Sequence, residues 1–208
     1  MPSRCDVTQT LLDSKVIAIV RLKEQNQVAD CIDSLVKGGI KCLEITSNTP
    51  GYLTELKAAI KHYPEILIGA GTITNTQKAQ YAINAGAQFL VTPNTDRHIV
   101  ELAHQFDIPV LMGAFTPTEI NHATQYGADI IKLFPAGVLS IDYYKSIRGP
   151  FSNTPMVAVG GIDLENASEW LEAGIDGIGL GACLSKTFED ISQKDAHIRS
   201  IRQFLSTI

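Results

Sequence analysis

This chain lacks several features, and each absence closes a class of function. It contains no stretch of about 18 uninterrupted apolar residues, the least a membrane-crossing helix requires. Met1 to Lys15 is polar and charged where a secretory signal carries an apolar segment. Formal net charge is −5, from 17 Lys and Arg against 22 Asp and Glu, and no basic block interrupts the chain. The electrostatic footprint of a nucleic-acid or membrane-surface binder is therefore missing. The 4 cysteines, Cys5, Cys31, Cys42 and Cys183, include no C-x-x-C pair, so neither a disulfide framework nor a zinc knuckle is expected. His62, His98, His104, His122 and His197 fall in helical or helix-proximal segments without ligand spacing, which predicts surface positions and no metal. No G-x-S-x-G elbow or P-loop occurs. Together these absences predict a reduced, soluble, cytoplasmic protein whose partner is a small molecule, with no nucleic acid and no membrane.

What is present is an alternation. Short β-branched runs begin near Val16–Val20, Cys42–Thr46, Ile66–Ala70, Phe89–Thr92, Val110–Met112, Ile130–Leu133, Met156–Val159 and Gly177–Leu180. Longer amphipathic segments separate them, one pair every 20 to 30 residues or so, the pattern of βα units on a parallel sheet. Helix starts are signalled by Thr49-Pro50, by Thr74 through Gln77 and by Thr116-Pro117-Thr118-Glu119. Helix ends are signalled by Gly38-Gly39, Gly86, Gly127 and Gly174. Eight units with no linker predict an α/β fold, a single-domain (β/α)8 TIM barrel over residues 1–208, with a short N-terminal helix from about Val7 to Ser14 across its bottom. An open doubly wound sheet is the alternative, but it needs one switch point, and here distinctive residues follow nearly every strand.

Barrel active sites form at the C-terminal strand ends. Lys132 stands there, inside the apolar run Ile130-Ile131-Lys132-Leu133. An ammonium is costly to desolvate, so such a lysine is paired, reaches the strand's end, or is functional. Apolar surroundings lower its pKa, and a neutral amine is the nucleophile of Schiff-base chemistry. Period-2 alternation sends Ile131 and Leu133 outward and Lys132 inward, and in Cys42-Leu43-Glu44-Ile45-Thr46 it aims Glu44 inward as well. The two charges form either a structural ion pair or a nucleophile with a proton shuttle. Arg21 ends the first strand, where a guanidinium can grip a carboxylate with two hydrogen bonds or simply lie in solvent. Thr72 follows Gly69-Ala70-Gly71 and offers a hydroxyl in a turn open to close approach. Gly160-Gly161 and Gly179-Leu180-Gly181 follow strands seven and eight, where barrels often hold phosphate on backbone N–H groups. Arg148 either adds charge to that phosphate or is exposed.

Taken together, Leu43-Glu44-Ile45-Thr46, Ile68-Gly69-Ala70-Gly71-Thr72, Val91-Thr92-Pro93, Ile131-Lys132-Leu133-Phe134-Pro135 and Val159-Gly160-Gly161 resemble the 2-keto-3-deoxy-6-phosphogluconate (KDPG) aldolases. That family includes 2-keto-3-deoxy-6-phosphogalactonate (KDPGal) aldolases and bifunctional 4-hydroxy-2-oxoglutarate aldolases. The likeness runs from Ile17-Ala18-Ile19-Val20-Arg21 to Gly179-Leu180-Gly181. It implies a pyruvate-releasing class I aldolase that yields glyceraldehyde 3-phosphate from the phosphorylated substrate. It also implies a homotrimer with no metal and no cofactor beyond the covalent lysine imine. By the same resemblance Lys132 and Glu44 are catalytic, Arg21 and Thr72 hold the pyruvate carboxylate, and Pro93 and Phe134 shape the pocket. Gly160, Gly161 and Gly181 receive the distal phosphate. Many members have Arg where this chain has Asn48, which leaves the carboxylate to Arg21. Val159 and Ala182 replace hydroxyl residues that other members bring to the phosphate. An unphosphorylated substrate such as 4-hydroxy-2-oxoglutarate, or a phosphosugar-binding barrel without imine chemistry, are the alternatives.

Overall fold

Parallel strands need a crossover between them, and each amphipathic segment supplies one. The computed structural model describes residues 2–208. After α1 (Arg4–Ser14), strands and helices alternate as β1 (Val16–Val20), α2 (Val28–Gly38), β2 (Cys42–Thr46), α3 (Tyr52–His62), β3 (Leu67–Gly71), α4 (Thr76–Asn84), β4 (Leu90–Val91) and α5 (Arg97–His104). The second half continues with β5 (Val110–Ala114), α6 (Pro117–Gln125), β6 (Ile130–Leu133), α7 (Ile141–Arg148), β7 (Met156–Val159), α8 (Ala167–Glu172), β8 (Gly177–Leu180) and α9 (Ile191–Leu205). The strands pair in chain order and β8 returns to β1 in parallel, closing the barrel.

Alternation along each strand divides the core in two. Leu43, Ile45, Ile131 and Leu133 pack outward under the helices. Ile17, Cys42, Phe89, Leu111, Ile130 and Val157 fill the barrel interior. The fully buried Phe89 ring occupies the room left by Gly69, whose Cβ would lie 2.6 Å from it. The fourth strand is shorter than its β-branched run suggests. The Thr92 hydroxyl accepts from the Gly113 N–H and donates to the Asn94 carbonyl, and this turns the chain out of the ladder.

The capping box read at Thr116 and Glu119 is formed. Two other starts differ from expectation. Asn75, not Thr74, caps α4 by accepting from the Lys78 N–H. Helix α3 begins only after Gly51, because the buried Thr49 hydroxyl is engaged with Thr46 and the Val20 carbonyl at the barrel rim. Helix α1 is one turn longer than Val7 to Ser14, since Ser3 and Asp6 form a capping box that starts it earlier. Its Val7 and Leu11 insert among the interior side chains. Arg4 pairs with Asp129 at 3.3 Å, and the same carboxylate receives the Val110 N–H and sits 3.0 Å from His104 Nε2. Thus α1 closes the N-terminal end of the barrel. His197 corrects the expectation of surface histidines: it is buried on the inner face of α9, 3.0 Å from the Leu184 carbonyl, and burial lowers its pKa.

Candidate active site

Lys132 projects into the barrel near the C-terminal end of β6, with only 4% of its surface exposed. Its Nζ lies 5.0 Å from the centre of the Phe134 ring. Burial lowers its pKa, Glu44 opposes the shift, and Arg21 adds to it. Glu44 on β2 is 2% exposed, and its Oε1 has no hydrogen-bond partner in the structure. Burial raises the carboxyl pKa against the pull of Lys132 and Arg21. The two side chains feel each other's charge but do not close into an ion pair. A buried amine and a buried carboxyl left apart are costly for stability, and such arrangements concentrate where chemistry is done.

The carboxyl is seated against bare backbone. A Cβ at Gly71 would fall 1.6 Å from Glu44 Oε1, so only glycine leaves the carboxyl its place. Next in the chain, Thr72 holds a left-handed φ of 57°, a genuine outlier for a β-branched residue. There its hydroxyl lies 3.3 Å from Arg21 Nη2 and accepts from it. Arg21, at the end of β1, is exposed on its side-chain face and fixed through its main chain. The Ser185 hydroxyl accepts from the Arg21 N–H at 3.0 Å and lies 3.3 Å from the Arg21 carbonyl.

A cavity of about 600 Å³ opens above Lys132, bounded also by Arg21, Phe134, Gly160, Gly161 and Gly181. The Phe134 ring packs against Gly160, and Gly137 against Gly161, both of which adopt positive φ. Gly181 differs from them. A Cβ there would meet nothing within 4 Å, so its bareness leaves room on the cavity side that no protein group takes. Glu44, Thr72 and Pro93 do not bound this cavity. Thr72 joins it through Arg21, and Glu44 through its charge on Lys132 and Arg21. Pro93 is half-buried, with its carbonyl against Gly113. Arg148 is nowhere near the glycine turns: it donates to the Thr154 carbonyl and pairs with Asp176 at 3.3 Å, just before β8 begins.

Sequence reasoning passed over Ser185, Asp163 and Cys183, which also bound the cavity. They lie in irregular segments after β7 and β8, where neither a period of 2 nor one of 3.6 says which way a side chain points. Asp163 accepts from the Glu165 and Asn166 N–H groups, so its carboxylate is committed to its own turn. Among the described residues no group of three or more His, Cys, Asp or Glu could hold a metal ion, and no helix is long and apolar enough to cross a membrane. The arrangement can present to a carbonyl carbon an amine whose pKa burial lowers, with a carboxyl near it and a guanidinium for an adjacent carboxylate.

The family model for KDPG and KHG aldolase matches residues 7–198. The chain is 28% identical over 194 residues to the 2-dehydro-3-deoxy-6-phosphogalactonate aldolase of Escherichia coli K12, covering 90% of this chain and 95% of that one. It is 31% identical over 165 residues to the KHG/KDPG aldolase of the same organism, covering 77% and 76%. Among solved structures, KDPG aldolase from Legionella pneumophila, with pyruvate captured at low pH as a covalent carbinolamine intermediate, superposes with a TM-score of 0.82 at 26% identity, covering 97% of each chain.

Proposed function

Because the chain belongs to the KDPG and KHG aldolase family, we propose that Lys132 is the amine of its class I aldolase reaction and Glu44 the proton carrier. The enzyme is a carbon–carbon lyase that cleaves 2-keto-3-deoxy-6-phospho sugar acids to pyruvate and glyceraldehyde 3-phosphate. The observation that carries the residue assignment is the buried amine, its pKa lowered by burial, held apart from a buried carboxyl with a free oxygen.

In this reading the Lys132 amine adds to the C2 carbonyl of the keto acid to give a carbinolamine, and loss of water yields the protonated imine. Glu44, its pKa raised by burial, takes the C4 hydroxyl proton. The C3–C4 bond then breaks, its electrons pass into the imine, and the aldehyde leaves an enamine of pyruvate. Protonation at C3 and hydrolysis release pyruvate and restore the amine. An unshifted lysine would be neutral only in about one molecule in a few thousand at pH 7, so the lowering by burial directly raises the reactive fraction. Arg21 and Thr72 bind the carboxylate. Phe134 walls the site over Lys132, Pro93 supports its β4 rim, and Gly160, Gly161 and Gly181 offer backbone to the distal group. Assembly as a homotrimer and a cytoplasmic location belong to the same proposal, on the family resemblance.

Borohydride reduction in the presence of pyruvate tests the assignment. Intact-protein and peptide mass spectrometry should find a reduced pyruvate adduct on Lys132. An adduct on another lysine, or none in enzyme that still releases pyruvate, would overturn it. Pyruvate release from phosphorylated and unphosphorylated keto-deoxy gluconate and galactonate, measured in parallel, then ranks the substrates.

A further inference from the structure

Both groups assigned to the carboxylate of the keto acid stand where the β-ladder has ended. Strand β1 pairs with β8 only as far as Ala18 and Leu180, short of Arg21. Thr72 comes just after the last β2–β3 pair, Thr46 with Gly71. A guanidinium on a loose main chain, or a threonine free to leave its left-handed conformation, would have to be ordered anew each time a carboxylate arrives.

Hydroxyls replace the missing ladder around Arg21. On the β8 side Ser185 uses both of its capacities on this one residue: its Oγ accepts from the Arg21 N–H at 3.0 Å and donates to the Arg21 carbonyl at 3.3 Å. On the β2 side Thr46 Oγ1 donates to the Val20 carbonyl at 3.2 Å, and the Leu22 N–H donates to Thr49 Oγ1 at 3.4 Å. Every main-chain polar group from the Val20 carbonyl to the Leu22 N–H thus ends on a side-chain hydroxyl, while the side chain of Arg21 stays exposed. Ser185 is itself seated. Its N–H donates to the Gly181 carbonyl at 2.8 Å, and the carbonyl of buried Leu184, just before it, accepts from His197 Nε2 at 3.0 Å.

Ser47, the first residue after β2, has the corresponding place at Thr72. Its N–H donates to the Gly71 carbonyl at 2.8 Å and its hydroxyl to the Thr72 carbonyl at 2.7 Å. The φ and ψ of Thr72 rotate these two carbonyls against each other, because each belongs to one of the planar peptides that meet there. With both bonded to Ser47 that rotation is stopped, and the φ of 57° is kept although it is unfavourable for a β-branched residue. The Thr72 hydroxyl is thereby aimed at Arg21 Nη2, 3.3 Å away.

We propose that Ser185 and Ser47 are positioning residues of the aldolase, which hold Arg21 and Thr72 respectively in the arrangement that receives the carboxylate. Neither serine needs to touch the substrate for this. The inference rests on the reading that Arg21 and Thr72 bind the carboxylate, and it adds what keeps them in place beforehand.

The test reads pyruvate affinity as the concentration that gives half-maximal borohydride trapping on Lys132. Ser185→Ala and Ser47→Ala should each raise that concentration about fivefold, the size of one neutral hydrogen bond. KM for the keto acid should rise in parallel with kcat within about twofold, since a carboxylate is gripped alike in the ground and transition states. Each serine is then removed from a protein that has already lost the group it aims. Ser185→Ala made in Arg21→Ala, and Ser47→Ala made in Thr72→Ala, should shift the affinity by less than about twofold further. A full fivefold shift in those backgrounds would show that the serines act by general destabilisation and would overturn the proposal. So would single variants that bind pyruvate as the wild type does while Arg21→Ala binds it more weakly. The underlying reading fails in a different way: it falls, and the positioning roles with it, when Arg21→Ala and Thr72→Ala themselves leave pyruvate affinity unchanged.

Discussion

Gly71→Ala isolates the position of the Glu44 carboxyl from its chemistry. An ideal Cβ at residue 71 lies 1.6 Å from Glu44 Oε1 and 2.1 Å from its Cδ, whereas ordinary contact begins near 3.4 Å. The carboxyl must therefore retreat by about 1.8 Å, the difference of those two distances, or the β3 backbone must yield. A misplacement of about 1 Å can cost 10²-fold in rate, so kcat should fall at least about 100-fold, roughly 2.7 kcal/mol at the transition state. Overpacking of this kind also costs about 1–3 kcal/mol of stability, so a control is needed. Gly69→Ala provides one: residue 69 stands opposite Glu44 in the β2–β3 register, but its Cβ would strike the Phe89 ring at 2.6 Å, so the clash falls on the apolar interior. Neither glycine has positive φ, so backbone strain enters in neither variant. Pyruvate release, borohydride trapping and thermal melting of both proteins complete the comparison. If Gly71→Ala turns over within threefold of Gly69→Ala at a similar Tm, a carboxyl in that seat is not what moves the protons.

Glu44→Gln keeps the shape and removes the titration, so turnover should drop by 10² or more while the trapped pyruvate adduct still forms; equal loss of both would make Glu44 structural. The same variant has a stability signature. Burial lifts the Glu44 pKa above its ordinary 4.5, so the native state binds more protons than the unfolded chain from pH 4.5 up to the raised value, and stability declines as pH rises through that window. Tm measured against pH should decline less steeply there in Glu44→Gln than in the wild type; an identical slope would refute the shift. Arg21→Lys loses the planar two-pronged grip and the bond to Thr72, so KM for the keto acid should rise about tenfold with kcat changed less, and an unchanged KM would remove Arg21 from carboxylate binding.

Strand number, closure and the inward aim of Lys132 and Glu44 were legible because parallel strands under helices carry a strong period-2 signal with apolar outer faces. The shortness of β4 was not, since the Thr92 hydroxyl takes over a ladder bond from another strand. The seat of Glu44 depends on a non-bonded contact with Gly71 on the neighbouring strand, and one chain read by itself carries no such information. Ser185 escaped for a related reason: its partner, Arg21, is 164 residues away. Arg148 misled because a basic residue near a glycine looks like an anion ligand from sequence, while the fold spends it on Asp176 and two carbonyls.

Helix α1 stoppers the barrel at the end away from the cavity that holds Lys132. On the proposed chemistry, a fragment tethered to Lys132 lies between that closed end and the part of the cavity bounded by Arg21 and Gly181. With the imine on Lys132 that we propose, the order follows: the aldehyde fragment departs first and pyruvate last, and in the reverse direction pyruvate is seated before the aldehyde.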